Sequence, residues 1–510
     1  MLVRSDMRLA GIFSDRMILQ RDRENHIFGT DEEALKVKVT AGDVTAEADV
    51  TDGRFDVILP PVKACFDIDI TVEGSETIVL HEVCFGDVFL LSGQSNMELP
   101  IYRTYDASEE EAKSADYPYV RQYRMMPEPV YKDDSEYALP ESSWVSAVQG
   151  QIQDMSAYGV YTFKRIFDKI NVPIGLILNA QGGSKIEAWM TEEDVKKMSS
   201  DYHLIEEFSG RNDLIDYLKE QENRCIEWRE ATKVFDPSVS SKTIPEEAEP
   251  FTVPGIVPGI TGSLWFYREF DVEEDVTDAF LYCGQWIDAD ATYINGIEVG
   301  RTEYQYPPRK YPFDPKILHK GKNLIALRLI VERESGGPVP FHQYYIRIND
   351  KKISLEGEWK KVTETSCERF TAGRMLVWFP SILYKSMITT LSNISLKGVM
   401  WFQGESNAEE PEGYNLKFKA MVQSWRKLLG EDIPFIITEL TDFIDPQSED
   451  TSKVPDGWRS IQAQQLAAET TVDNVKCVPA RDLGDMFEIH SPRKAELGAR
   501  AAIIVENFIY

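Results

Sequence analysis

The alternation of apolar and polar positions changes character several times along the chain. Up to about residue 83 the period is two: Leu35, Val37 and Val39 alternate with Lys36, Lys38 and Thr40, and Ile68, Ile70 and Val72 with Asp67, Asp69 and Thr71. Successive side chains of a strand point to opposite faces, so this spacing predicts half-buried strands. Asp52-Gly53 marks a turn between them. Residues 1–83 therefore read as a small antiparallel β module. From residue 84 short apolar runs are followed by amphipathic stretches. Val88 to Leu91 is a run of the kind a strand covered on both faces requires. Ala157, Val160, Phe163, Phe167 and Ile170 fall at helical spacing behind Ser156, a suitable N-cap. Ile174 to Leu178 is the next buried strand, Thr191-Glu192-Glu193-Asp194 a helix start, and 203–232 a charged helical stretch.

The texture changes again at Pro237 to Pro258, rich in Pro, Ser, Thr and Glu, which reads as a linker. Residues 262–370 then read as all-β, with Asn295-Gly296 as a hairpin signal and Leu324 to Val331 apolar apart from Arg328. After residue 371 strands (Val399 to Phe402, Ile433 to Ile437, Val475 to Val478) again alternate with helices (414–429, 458–470, and from Ser491 almost to Tyr510). The expected fold class is α/β. A catalytic domain made of 84–233 and 371–510 is interrupted by a β domain, 234–370, and preceded by the module 1–83.

Composition narrows the function classes. The 510 residues carry a net charge of −30. So acidic a surface repels phosphate backbones and anionic lipid, which argues against nucleic acid and membrane as partners. Six cysteines, at 65, 84, 225, 283, 367 and 477, form neither a CxxC pair nor a ligand-spaced cluster with His, so no metal site is expected. Arg4, Asp6, Arg8, Asp15 and Arg16 interrupt the apolar residues of the N-terminus, and no run is long enough to span a bilayer. The expectation is a cytoplasmic protein with free thiols.

Three loops follow predicted parallel strands, and ligand crevices of open α/β sheets lie at that edge. In Gly93-Gln94-Ser95-Asn96-Met97, Ser95 is either an exposed nucleophile or a serine that caps a turn. In Gln181-Gly182-Gly183-Ser184 the glycine N–H groups face an oxyanion or belong to a plain turn. In Gln403 to Asn407 the amides of Gln403 and Asn407 are oxyanion donors or members of a satisfied surface loop. A serine nucleophile needs a base, usually histidine. Of six histidines (26, 81, 203, 319, 342 and 490), only His490 stands at a loop–helix boundary in the late α/β half.

The spacing of these blocks resembles the SGNH hydrolase superfamily, and their wording resembles its sialate O-acetylesterase-like branch. The likeness rests on Gly93 to Met97, on Gly182-Gly183-Ser184-Lys185-Ile186-Glu187-Ala188-Trp189, on Trp401 to Ala408 and on Ile489-His490-Ser491-Pro492-Arg493-Lys494. Ile12 to Gln20, Phe85-Gly86-Asp87-Val88, Pro173-Ile174-Gly175 and Trp458 to Gln462 extend it over nearly the whole chain. The resemblance implies an SGNH, flavodoxin-like three-layer catalytic domain and a serine esterase acting on O-acetylated sugars, sialate or plant-type oligosaccharide. It implies a Ser95–His490 pair and no cofactor. The oxyanion would be held by the Ser95 N–H, a glycine N–H at Gly182 or Gly183, and an amide of Gln403 or Asn407. The superfamily's late block is D-x-x-H, where this chain has Phe487; the branch carries Asp two before the histidine, where this chain has Glu488. In an extended segment residues two apart point to the same side, so Glu488 is the expected third member; the alternatives are Asp482 or Asp485 further back, or a Ser–His dyad whose ring is oriented by a backbone carbonyl.

The inserted segment resembles a galactose-binding-like jelly roll, a β-sandwich, through Trp265 to Arg268, Tyr293 to Gly296 and Leu318 to Leu324. It either buttresses the catalytic domain or lines a glycan cleft with its aromatic, Pro-rich loop Tyr304 to Phe313. Two rival readings stand beside the esterase. A glycoside hydrolase needs two carboxylates across one cleft, with Glu405 and Glu187 as candidates, but leaves Ser95 and His490 unexplained. The other rival is a non-catalytic glycan-binding protein.

Overall fold

The structure is a computed structural model, and it describes residues 7–126, 142–208, 211, 213–332, 334–369, 375–448 and 450–510. The first six residues of the N-terminal stretch read above, and the expected boundary at 370/371, lie outside the described residues.

Seven strands build the central sheet: β1 (Thr77–Gly93), β2 (Asp116–Arg124), β3 (Val145–Val148), β4 (Ile174–Ala180), β5 (Gly398–Phe402), β6 (Phe435–Thr438) and β7 (Val475–Val478). Their spatial order is β3-β2-β4-β1-β5-β6-β7, and every neighbouring pair is parallel except β3 with β2. β4 and β5 are buried at every position, as strands covered on both faces must be. The covering helices form two packed pairs. The 14-residue α2 (Ala157–Ile170), capped by the Ser156 hydroxyl, lies on α5 (Lys494–Ile509). α3 (Tyr414–Leu429) lies on α4 (Asp456–Thr471). α1 is the short helix Ser95–Glu98 directly after β1. From β1 the chain builds the sheet to one side through β2–β4, and after the insert continues on the other side with β5. Where strand order reverses in this way, the loops at the carboxyl ends part and leave a crevice.

β1 is 17 residues long and serves two sheets. Its first half pairs with Cys65–Glu73 and Ile18–Gln20; its second half, Asp87 to Gly93, pairs with β4 and β5. The expected boundary at 83/84 thus falls inside one strand, and Val39, Ile70, Val83 and Leu91 share a single core. Leu35 precedes the strand Lys36–Ala41 and is 87% exposed, so the inward alternation holds only for Val37, Val39 and Ala41.

The described residues of 234–369 form three antiparallel sheets, of six, four and three strands, which share a core that includes Phe266, Leu281, Trp286, Leu327, Ile346 and Trp359. The stretch read as a linker is partly built into this unit. Glu249–Val253 is an edge strand on Gly357–Ser366, because Phe251 packs edge-on against Phe266 with centroids 5.2 Å apart. Asn295 and Gly296 take φ of +51° and +81°, as a two-residue hairpin requires. Arg328, the polar exception in its strand, is buried because it pairs with Glu364 at 2.6 Å and donates to the Thr232 hydroxyl.

Candidate active site

The three motif loops leave β1, β4 and β5, which are neighbours. β1 ends at Gly93, whose φ of +132° and approach to the Phe402 carbonyl leave no room for a side chain. Gln94 then anchors the turn: its N–H donates to Phe402 O at 2.9 Å, and its Oε1 accepts from the N–H groups of Gly404 and Ser406. Ser95, half-buried, opens α1, where backbone N–H groups lack an intrahelical partner. The second loop lies against it, since a Cβ on Gly182 would come within 3.6 Å of the Ser95 Cβ.

Three of the expected oxyanion donors are otherwise engaged. The Gly182 N–H donates to Glu98 Oε1 at 2.9 Å, and Glu98 also pairs with Arg124 at 3.1 Å. Burial raises the Glu98 carboxyl, against the opposing pull of Arg124. Both hydrogens of the Gln403 amide are used, on Ser184 O (3.1 Å) and Asn407 Oδ1 (2.8 Å). Asn407 in turn donates to Glu187 and accepts from the Ile186 N–H, both at 2.9 Å. These buried amides brace the second loop against the third, because a buried amide left unpaired would cost about 1–3 kcal/mol. Gly183 stands at φ +74° against the Trp378 ring, whose indole N–H donates to Gly182 O at 2.8 Å.

Neither carboxylate of the glycoside-hydrolase reading faces the cleft described below. Burial raises the Glu187 carboxyl, but Lys417, at 2.6 Å, and Asn407 more than offset this and hold it below the usual range. Burial pushes Glu405 up to about 7, opposed by its bond from Asn96.

His490 is 6% exposed and lines the cleft. Its Nδ1 is buried without a hydrogen-bond partner among the described residues. Burial, with Lys494 and Arg103 nearby, pushes the imidazole down to about 3, so the ring is neutral at physiological pH. Glu488 is buried in the same cleft, but its carboxylate does not bond Nδ1. The expectation for Glu488 assumed an extended segment. Instead the Glu488 N–H closes a turn on Asp485 O at 3.0 Å, so the same-side rule for residues two apart does not apply.

The Ser95 and His490 loops meet through Asn96. Its Nδ2 donates to Ile489 O (3.0 Å) and Glu405 Oε1 (2.6 Å), and its Oδ1 accepts from Lys494 Nζ (2.8 Å). The inserted β unit also reaches this loop. Phe341 stacks on Phe487 with centroids 4.2 Å apart, and His342 lies against the Phe487 backbone.

Between the two units lies a cleft of about 230 Å³, lined by Leu99, Tyr102 and Arg103 near α1, by Glu488 and His490, and by insert residues including Arg301, Pro307, Pro308, Lys310 and Tyr311. The Pro-rich loop is held by Arg309, fully buried, which pairs with Asp290 at 2.6 Å and donates to the carbonyls of Gln305, Pro307 and Asp288. Three cations therefore line a pocket in a strongly acidic chain. Arg301 is paired with Glu298 at 2.9 Å. Arg103 has no carboxylate partner among the described residues. Its guanidinium lies 5.8 and 6.0 Å from the Tyr102 and Tyr304 rings and meets their hydroxyls at only 3.4 Å. Sequence reasoning missed Arg103 and Arg301 as cleft residues, because no local pattern joins segments some 200 positions apart, whereas Lys310 belongs to the loop Tyr304 to Phe313, for which lining a cleft was one of the two readings. Asn96 and Lys494 were within the quoted motifs, and their presence there was the available signal. Among the described residues no cluster of His, Cys, Asp or Glu is arranged to hold a metal.

The family described as carbohydrate esterase, sialic acid-specific acetylesterase, matches residues 85–205 and 364–505, more than half of the chain. The chain belongs to this family. All three motif loops and His490 fall in the matched segments, and most of the inserted β unit falls between them. Sialate O-acetylesterase from Homo sapiens is 27% identical over 207 residues, 37% of this chain and 40% of that protein. The Rattus norvegicus sialate O-acetylesterase is 26% identical over 211 residues, 37% of this chain and 38% of that protein. The match thus spans about two fifths of these curated relatives. The crystal structure of a carbohydrate acetylesterase from Xanthomonas citri superposes with a TM-score of 0.59 at 17% identity, covering 99% of this chain and 76% of that one. This likeness shows that the sialic acid-specific acetylesterase-family chain shares that fold.

Proposed function

We propose that this protein is a serine esterase that removes acetyl groups from the hydroxyls of sugars, with Ser95 as nucleophile and His490 as base, on an SGNH-type domain interrupted by a jelly-roll insert. The observation that carries the reading is the junction at Asn96. The residue after Ser95 holds the carbonyl before His490, at the carboxyl edge of adjacent parallel strands. His490, neutral at working pH, takes the Ser95 proton as Oγ attacks the acetyl carbonyl. The backbone N–H of Ser95, with that of Gly183, stabilises the tetrahedral oxyanion. The imidazolium protonates the leaving sugar oxygen, and water then releases acetate by the same steps in reverse roles. The cations of the cleft favour an acidic sugar such as a sialate. Arg103, free of any carboxylate partner among the described residues, is placed to receive the sugar carboxylate. Turnover of p-nitrophenyl acetate and release of acetate from O-acetylated sialic acid test the reading. Ser95→Ala should abolish both while leaving the fold intact. A Ser95→Ala enzyme retaining a tenth of the rate on either substrate sinks it.

A further inference from the structure

In a serine triad a carboxylate on Nδ1 fixes the ring of the base. Here Nδ1 of His490 has no hydrogen-bond partner among the described residues, so something else must set the ring. The carbonyls of the two residues on either side of His490 are both held. Ile489 O accepts from Asn96 Nδ2 at 3.0 Å, and Ser491 O accepts from Lys494 Nζ at 2.8 Å. The two donors are joined to each other, Lys494 Nζ donating to Asn96 Oδ1 at 2.8 Å, and Asn96 is fixed from behind by Glu405 at 2.6 Å. Asn96 and Lys494 are 2% and 1% exposed. A lysine ammonium buried this deeply is costly unless it is paired. This one lies on two oxygens, with the Phe402 ring 5.7 Å away, and no carboxylate is within ion-pair distance among the described residues. A core lysine that served packing alone would be better replaced by an apolar side chain.

We infer that Asn96 and Lys494, backed by Glu405, form a clamp that sets His490 against Ser95 through the backbone, in the place that a carboxylate on Nδ1 holds in a triad. The inference rests on the Ser95–His490 reading above. Asn96 and Lys494 are positioning residues and touch no substrate atom. Lys494 has a second effect. With Arg103 it lowers the affinity of His490 for a proton, so the clamp holds the base neutral as well as in place. The other charged groups facing His490 are Glu488, beside it in the cleft, and Arg301 and Lys310 across it.

The test compares Lys494→Gln and Lys494→Met with wild type on p-nitrophenyl acetate across pH, after circular dichroism has shown each variant folded. Lys494→Gln keeps a donor and loses the charge; Lys494→Met loses both. Misplacing a catalytic group by about 1 Å can cost on the order of 100-fold. Lys494→Met is expected to lose about that factor in kcat with KM within about threefold, and Lys494→Gln to recover most of it. In both, the acid limb of kcat/KM moves to higher pH, because His490 has lost a neighbouring cation. Asn96→Ser supplies the second arm should Lys494→Met fail to fold, and is expected to lower kcat with KM unchanged. Either kcat within threefold of wild type in Asn96→Ser, or an acid limb that stays in place in Lys494→Gln, overturns the clamp. A Ser95→Ala control separates the two readings. If Ser95→Ala is dead and the clamp variants are fully active, only the clamp fails; if Ser95→Ala is active, the underlying reading fails first.

Discussion

Replacing Arg103 by methionine removes the cleft guanidinium that has no carboxylate partner and keeps much of its apolar stem. In the free enzyme little else is lost, since its two bonds to tyrosine hydroxyls are long, at 3.4 Å. In a complex with an acidic sugar the loss is larger. A hydrogen bond between charged groups contributes about 1.5–3 kcal/mol, and each 1.4 kcal/mol is about tenfold, so kcat/KM should fall by about 10- to 100-fold. Lys310 and Arg301 remain in the cleft, which places the expectation in the lower half of that range. The assay is acetate release from O-acetylated sialic acid, from the methyl ester of the same sugar, and from p-nitrophenyl acetate. Only the free acid carries the carboxylate, so only its kcat/KM should fall; the two neutral substrates should stay within about twofold. An equal loss on the acid and its methyl ester would refute the reasoning, because Arg103 would then support the site without reading charge.

Ser95→Ala should lower kcat by about 10⁴-fold or more, as removal of a serine nucleophile does, measured on p-nitrophenyl acetate. Glu488→Gln should leave kcat within about threefold, under about 1 kcal/mol of transition-state stabilisation, because Nδ1 of His490 takes no bond from it; a loss of 100-fold would return the triad role to Glu488. Phe341→Ala removes the stack that carries the insert onto the His490 loop, and should lower kcat severalfold while shifting Tm by only a few degrees. Burial holds His490 and His342 below the usual histidine range, at about 3 and about 4. Both are neutral in the fold and gain a proton on unfolding below about pH 6.5. Their contribution to stability is therefore present above that pH and fades as pH falls towards 4. The fall of Tm between pH 7 and 4 should be shallower in His342→Gln than in wild type.

The strands and helices of the α/β part were legible because burial on both faces leaves solid apolar runs, as in Val88 to Leu91 and Val399 to Phe402, and because Ser156 caps the helix it precedes. Two kinds of information were not. The first is the direction of side-chain amides. Gln403 and Asn407 carry the same donors whether they face an oxyanion or each other, and only the packed positions of Ser184 and Glu187 decide between these. The second is contact between distant segments. The aromatic, Pro-rich character of Tyr304 to Phe313 was readable as a cleft wall, and Pro307, Pro308, Lys310 and Tyr311 do line the cleft, but nothing in that local pattern reports that the loop faces His490, and nothing around Phe487 foretells that Glu488 closes a turn. Glu249–Val253 escaped notice because its apolar content is low; the partner strand Gly357–Ser366 supplies the order.

The long strand β1 has a consequence for anyone who would cut or recombine this chain. Its first nine or so residues are stitched into the N-terminal sheet and its last seven carry the turn into Ser95. A truncation or crossover at the change of texture near residue 84 would sever one continuous strand and open a raw sheet edge on both fragments, inviting aggregation. Residues 7–83 share one core with the strand that leads to the nucleophile, so the two should unfold together, and chimaeras between relatives should be joined elsewhere.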